Sequence, residues 1–226
     1  MIVSLFTELF GLQSYLVNGV RTTSKQGNTK AVFFQPAAML DLVAYYNEFK
    51  NLQRLKEFKW SYLYQSIYSD VRKNAVAVFM IELLTKCLKQ PEPHPDLFYF
   101  TEDALQRLDM ADEKITANFP LFFALHLPVF FGFRIADDEK GNSPYLDLEE
   151  GRFVQDQPLH SNYLMEKEAA SISHILKIMQ PEELKEVQLN QESRRKLMHA
   201  VESYYVFHIQ DFGSLRTLPV LRELLS

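Results

Sequence analysis

The chain has one cysteine, Cys87, among its 226 residues. A single cysteine excludes an internal disulfide and a Cys-rich zinc site. Within VFMIELLTKCLK it reads as core or groove lining rather than as a nucleophile, since free thiols are habitually buried. The N-terminus, MIVSLFTELFG, lacks a basic n-region and a cleavage site. Together with the scarcity of cysteine this fits the cytoplasm. Long apolar runs are also missing. The longest, FPLFFALHLPVFFGF at 119–133, carries two prolines and a histidine. It falls short of the roughly 20 residues that a membrane span needs. It reads as a buried helix with a Pro-marked start, and no membrane contact is expected.

Catalytic signatures are absent too. There is no H-E-x-x-H, no G-x-S-x-G and no G-x-G-x-x-G. GNTK at 27–30 lacks the Walker spacing, and Lys30 runs into Ala31 and strand-like residues. The six histidines (94, 126, 160, 174, 199 and 208) show no ligand spacing on one helix face. The acids of 102–113 and 137–150 read as solvated face or loop. No catalytic residue, cofactor or metal is assigned, and the chain reads as a non-enzyme.

What is present is an uneven charge. The net charge is −5, yet residues 1–65 hold seven Lys/Arg against four acids, and the excess of acid lies beyond them. A polyanion, if bound, would meet the first part. The most basic stretch is NGVRTTSKQGNTKAVFFQP, 18–36, with Arg21, Lys25 and Lys30 and no acid. It reads either as a solvated hairpin tip or as a phosphate-contacting loop. In the second case Thr22, Thr23 and Ser24 donate to phosphate oxygens and Gly27 allows close backbone approach.

The first part is strand-like. Residues 2–7 run into a turn at 8–11. Residues 12–20 alternate, with Leu12, Ser14, Leu16 and Asn18 on one face and Tyr15 and Val17 on the other. VFFQP and AMLDLVAYYNE continue as strand, NEFKN turns, and LQRLKEF is a last strand. Four short strands suggest a small barrel or sandwich, though four are few for closure. From Tyr62 the period becomes helical. Helices are expected at 70–89, with Val71, Ala75, Val78, Phe79, Leu83 and Leu84 inward, and at about 96–109, 117–132, 166–179, 192–207 and 214–225. QPEPHP stops the first, and IMQPEEL opens a further helical turn. Residues 137–162 form a polar insertion in which YLDLEEGRFVQ reads as a two-stranded hairpin.

Taken in order, several segments resemble the RecO family of bacterial recombination mediators, most closely its Bacteroidetes type. These are VSLFTELFGLQSYLVNGVR with Thr7, Gly11, Gly19 and Arg21, then FFQPAAMLDL with Gln35 and Pro36, and LQRLKEF. ELLTKCLKQPEPHPDLFYFTEDAL and FFALHLPVFFGF follow. The resemblance covers nearly the whole chain. It implies an α+β protein with an N-terminal OB-like β-barrel, residues 1–60, and a mainly α-helical C-terminal domain, 61–226. It implies binding of single- and double-stranded DNA, single-strand annealing, and partnership with RecR. It also implies contact with the C-terminal tail of single-stranded-DNA-binding protein, help in loading RecA on gaps, and a cytoplasmic, nucleoid-associated setting.

Two departures from the family pattern carry expectations. Members usually begin with a further strand that closes the barrel, so either the start of this sequence is short or the barrel is incomplete. Some members hold zinc with cysteines where this chain has the Cys-free insertion 137–162, so no zinc is expected.

DNA contact is expected at Arg21, Lys25, Lys30, Arg54 and Lys56. Arg54 and Lys56 share a strand face, which reads equally as a solvated face. Among Tyr15, Phe33, Phe34, Tyr45 and Tyr46, one is expected to serve as a stacking platform, without a choice among them. A peptide tail ending in a carboxylate needs an apolar groove with a cation, and Lys86, Lys89, Arg134, Lys177, Arg194 and Arg195 are candidates. The alternative function is a protein-interaction adaptor with the same architecture and no direct DNA binding.

Overall fold

The computed structural model describes residues 1–20, 30–136 and 143–225. Alternating residues make β1 (Ile2–Thr7) and β2 (Gly11–Leu16) an antiparallel hairpin with Val3 opposite Tyr15. Thr7 closes its turn, because Oγ1 accepts from the Phe10 amide at 3.2 Å and donates to the Gly11 carbonyl at 3.0 Å. Gly11 has φ +63°, and a Cβ there would meet the Glu92 carbonyl oxygen at 2.0 Å. Only glycine allows this turn to press onto the chain beyond it.

A second hairpin joins β3 (Leu40–Tyr45) to β4 (Leu52–Trp60). Buried Gln53 ties its turn: Oε1 accepts from the Asn47 amide at 2.9 Å, and Nε2 donates to the Asn47 and Lys50 carbonyls. The hairpins meet along β2 and β4, which run parallel with Ser14 beside Leu52 and Leu16 beside Arg54. The order is β1-β2-β4-β3. Tyr15, Val17, Val20 and Leu55 form the inner core, with Val3, Leu5, Phe34, Leu42, Ala44 and Phe58 around it.

The sheet is not a closed barrel among the described residues, since β1 and β3 each keep one unpaired edge. Between them opens a cleft of about 420 Å³, lined by Ser4, Phe6, Leu40, Leu42, Ile81 and Phe98 among others. VFFQP is a further correction: Lys30–Phe34 is a 3-10 helix, not a strand. Neighbouring strand residues would point to opposite faces. Here Phe33 and Phe34 both lie on Phe58, at 5.2 and 4.9 Å, which a helical turn allows.

The remainder is a helical body. Its helices are α1 (Val71–Cys87), α2 (Pro95–Met110), α3 (Glu113–His126), α4 (Glu166–Leu176), α5 (Gln191–His208) and α6 (Leu218–Leu224). The buried stripe of α1 is Lys73, Val76, Ala77, Met80, Leu83, Leu84 and Cys87 with Phe79, while Val71 is exposed, so the expected face is rotated. Cys87 is buried, and that burial pushes its thiol up to about 12. Helix α3 starts earlier than expected. Asp112 caps it by accepting from the Ile115 amide at 3.0 Å, and Pro120 lies inside it. With the 3-10 continuation Leu127–Phe131, this stretch is long and apolar enough to cross a membrane, yet 67% of that window is buried in the protein. It is the core helix, packed against α1, α4 and α5.

Residues 61–70 tie sheet to body through buried Asp109 on α2. Its carboxylate accepts from the Gln65, Ser66 and Ile67 amides at 2.8–2.9 Å. Burial would raise this carboxyl, but the three amides outweigh it and hold it below its ordinary value. Buried Lys73 adds bonds to Ser66 Oγ and to the Asp109 carbonyl.

The insertion's hairpin is β5 (Tyr145–Asp147) and β6 (Arg152–Val154). A third strand, β7 (Tyr163–Met165), pairs on the other side of β5 and was not expected. Leu146 and Leu148 bury this small sheet against the helices. Asp147 accepts from the Glu149 and Glu150 amides and faces His160 Nε2 at 3.2 Å. Among the described residues no three His, Cys, Asp or Glu gather as a metal-ligand set.

Candidate nucleic-acid interface

The outward face of the sheet follows from the alternation. Because Tyr15, Val17 and Leu55 point inward, Ser14, Leu16, Asn18 and Arg54 point outward. Arg54 stands beside Leu16 on β2 and opposite Tyr45 on β3. With the Asn18 amide turned so that its oxygen faces β4, it accepts from Arg54 Nη2 and Nε at 3.0 and 3.3 Å. Among the described residues the guanidinium is oriented by an amide rather than neutralised by an acid.

One residue further the ladder carries a bulge. Leu55 pairs with Ala44 and Glu57 with Val43, which leaves Lys56 as the extra residue. Bulges re-aim side chains. This one leaves Lys56 and Glu57 both exposed and returns Phe58 to the inner side. Lys56 Nζ lies 3.1 Å from Glu57 Oε1. That hydrogen bond raises the Lys56 ammonium, with a smaller contribution from the Tyr45 phenol. Lys59 is paired with Asp41 at 3.3 Å.

Of the expected DNA-contact residues, the structure brings Arg54 and Lys56 together on β4, beside Tyr45 of β3. Lys30 is exposed but apart from them. Its short helix packs through Phe33 on Trp60 at 4.9 Å, six positions along β4 from Arg54, or roughly 20 Å at strand rise. Arg21 and Lys25 lie outside the described residues. The aromatic candidates separate by their surroundings. Tyr15 is buried, Phe33 stacks on Trp60, Phe34 packs on Phe58, and Tyr46 stacks on Phe10 at 4.2 Å. Tyr45 is 61% exposed. Asn18 was not singled out in the sequence. Its role depends on the parallel pairing of β2 with β4, which local patterning does not reveal.

A second feature lies on the helical body. Arg194, Arg195 and Arg222 line a shallow apolar groove between α3, α5 and α6, with Pro120, Leu121 and Leu221. Arg194 donates to the Leu189 and Leu225 carbonyls at 2.6 and 3.1 Å. The Nε atoms of Arg194 and Arg222 are buried without a hydrogen-bond partner among the described residues. Lys86, by contrast, is spent on the Phe212 carbonyl.

An open sheet with exposed cations and an exposed tyrosine on its outer face, carried on an acidic helical body, defines a mixed α+β protein. The family described as Recombination protein O N terminal matches residues 1–64, and Recombination protein O C terminal matches residues 68–216. The protein named DNA repair protein RecO of Bacteroides fragilis is 33% identical over 225 residues, covering 99% of this chain and 91% of the relative. That of Phocaeicola vulgatus is 30% identical, covering 100% and 92%. That of Flavobacterium psychrophilum is 30% identical with the same coverage. The chain belongs to the RecO family of DNA repair and recombination proteins.

Proposed function

We propose that this chain is a non-enzymatic recombination mediator that binds DNA on the outward face of its N-terminal sheet. In this reading it anneals complementary single strands and, with RecR, helps load RecA on gaps in the cytoplasm. Family membership supports the reading, and the observation that carries it is Arg54: an exposed guanidinium, oriented by Asn18 and unmatched by acid among the described residues, beside Lys56 on an open sheet. Arg21, Lys25 and Lys30 extend the contact along the chain that follows β2. The groove bearing Arg194, Arg195 and Arg222 is the proposed seat of the tail of single-stranded-DNA-binding protein. Its apolar walls suit the tail's side chains, and its cations suit a terminal carboxylate.

Anisotropy of a labelled single strand at two salt concentrations tests the reading. The chain binds with a clear salt slope, and changing Arg21, Lys25 and Lys30 together to Ala reduces that slope by two to three contacts, at about 0.7 per phosphate. A chain that binds no DNA at either concentration is instead the protein-interaction adaptor, and an unchanged slope in the triple variant removes the loop from the interface.

A further inference from the structure

Tyr45 is the one aromatic of the sheet's five candidates whose ring is exposed on the outward face, with no stacking partner among the described residues. Directly across the ladder stands Arg54. Two positions along the same strand, at the bulge, stands Lys56. The acid nearby, Glu57, forms only an exposed pair with Lys56, which phosphate can displace. A ring beside two cations of the neighbouring strand complements a nucleotide chain, in which a flat apolar base alternates with a negative phosphate.

We infer that Tyr45 is a base-stacking platform, with phosphate contacts at Arg54 and Lys56 on the strand beside it, that makes this face select unpaired DNA. The inference rests on the DNA-binding reading above and adds what that reading leaves open, namely how single strands are told from duplex. In a duplex each base face is covered by its neighbours and no ring can reach it. In a single strand the faces are open, and stacking is tolerant of sequence because every base has a π face. Stacking also leaves the pairing edge of the base in solvent. A strand held this way remains able to pair with its complement, as an annealing protein requires. Phe49 is also exposed, but it belongs to the β3–β4 turn, where its amide donates to Asn47 Oδ1, and not to the strand ladder that carries Arg54.

The test uses the full chain, a fluorescein-labelled oligothymidine, a duplex of equal length, and an oligonucleotide carrying 2-aminopurine, whose emission falls on stacking. Tyr45→Ala and Tyr45→Leu weaken single-strand binding roughly 5- to 100-fold, while Tyr45→Phe stays near the parent. Duplex affinity and the salt slope are unchanged in all three, and 2-aminopurine quenching is lost in the Ala and Leu variants alone. Tyr45→Leu keeps the apolar bulk of the strand residue, so a folding defect in Tyr45→Ala does not obscure the result. If the parent binds single strands with a salt slope but Tyr45→Leu matches it, the platform is overturned while DNA binding stands. Equal losses on duplex and single strand overturn it as well, as does a loss confined to Phe49→Ala. A parent that binds no single strand overturns both the platform and the reading beneath it.

Discussion

The sheet and the helical body solve opposite problems. The sheet closes over Tyr15, Val17, Val20 and Leu55 and leaves Ile2, Val43, Tyr45 and Leu52 to solvent. The body buries α3 almost entirely, with Phe119 and Phe123 fully enclosed. A small core with an exposed apolar face is a poor source of stability and a good surface for a ligand. The sheet therefore depends on its attachments to the body, among them Gly11 against Glu92, residues 65–67 on Asp109, Phe6 against Phe98 at 5.7 Å and the Tyr99 hydroxyl on Glu8.

Breaking the first attachment carries the largest expected effect. Gly11→Ala must place a Cβ on a backbone carbonyl at positive φ, and is expected to cost about 3 kcal/mol or more. The single tryptophan, Trp60, lies on β4, so its fluorescence reports the sheet while helical circular dichroism reports the body. In urea the fluorescence midpoint falls well below the helical one. Gly132→Ala is the control. It also has positive φ but meets nothing within 4 Å, and is expected to cost about 1–2 kcal/mol. If the two transitions stay coincident in Gly11→Ala, sheet and body are one cooperative unit.

Asp109→Ala comes next. It strands three amides at a site where the carboxylate is almost fully enclosed, and is expected to cost about 3 kcal/mol. The pH dependence has a definite sign. The folded carboxyl lies below its unfolded value, so its stabilisation is full above about pH 4 and is lost as pH falls through the folded value. The difference in melting temperature between parent and Asp109→Asn should shrink on acidification below pH 4. A constant gap would show that the carboxyl's charge contributes nothing.

The smallest effect is expected at Glu57. The pair it forms with Lys56 is exposed on both sides, so Glu57→Gln should leave the melting temperature unchanged. Single-strand binding should tighten roughly two- to fivefold as an acid leaves the phosphate path. Weaker binding would mean that Glu57 positions Lys56 rather than masking it.

The two regions also differed in how far the sequence could be read. Both hairpins were legible, because period-two alternation is local and Tyr15 and Val17 fall on one face. The inward face of α1 was legible in part: Phe79, Leu83 and Leu84 are buried as expected, but Val71 is exposed and the stripe includes Lys73, whose ammonium is satisfied by Ser66 and the Asp109 carbonyl from elsewhere in the chain. A lysine counts as polar until its partners are known. VFFQP looked like a strand because aromatic residues favour strands, and tertiary packing of Phe33 and Phe34 around Phe58 overrode that preference. Strand β7 is three residues long, too short to carry a period. At the candidate site, Arg54 and Lys56 were visible as a basic run. The choice of Tyr45 over four other rings required knowing which rings were already covered. Arg21 and Lys25 were named from charge alone and lie outside the described residues.

The parallel seam between β2 and β4 has a consequence in time. Each hairpin joins residues close in sequence, and hairpins of this kind form in about 1–10 μs. The seam joins Ser14 to Leu52, and every residue of the intervening chain must be spanned before its first bond forms. The entropy of that loop closure comes due before any contact repays it. Arg54 reaches Asn18 only across this seam. The cationic row is therefore assembled late, after both hairpins exist, and a chain with two intact hairpins but an unsealed seam would hold its aromatic ring and its lysine without the guanidinium oriented between the strands.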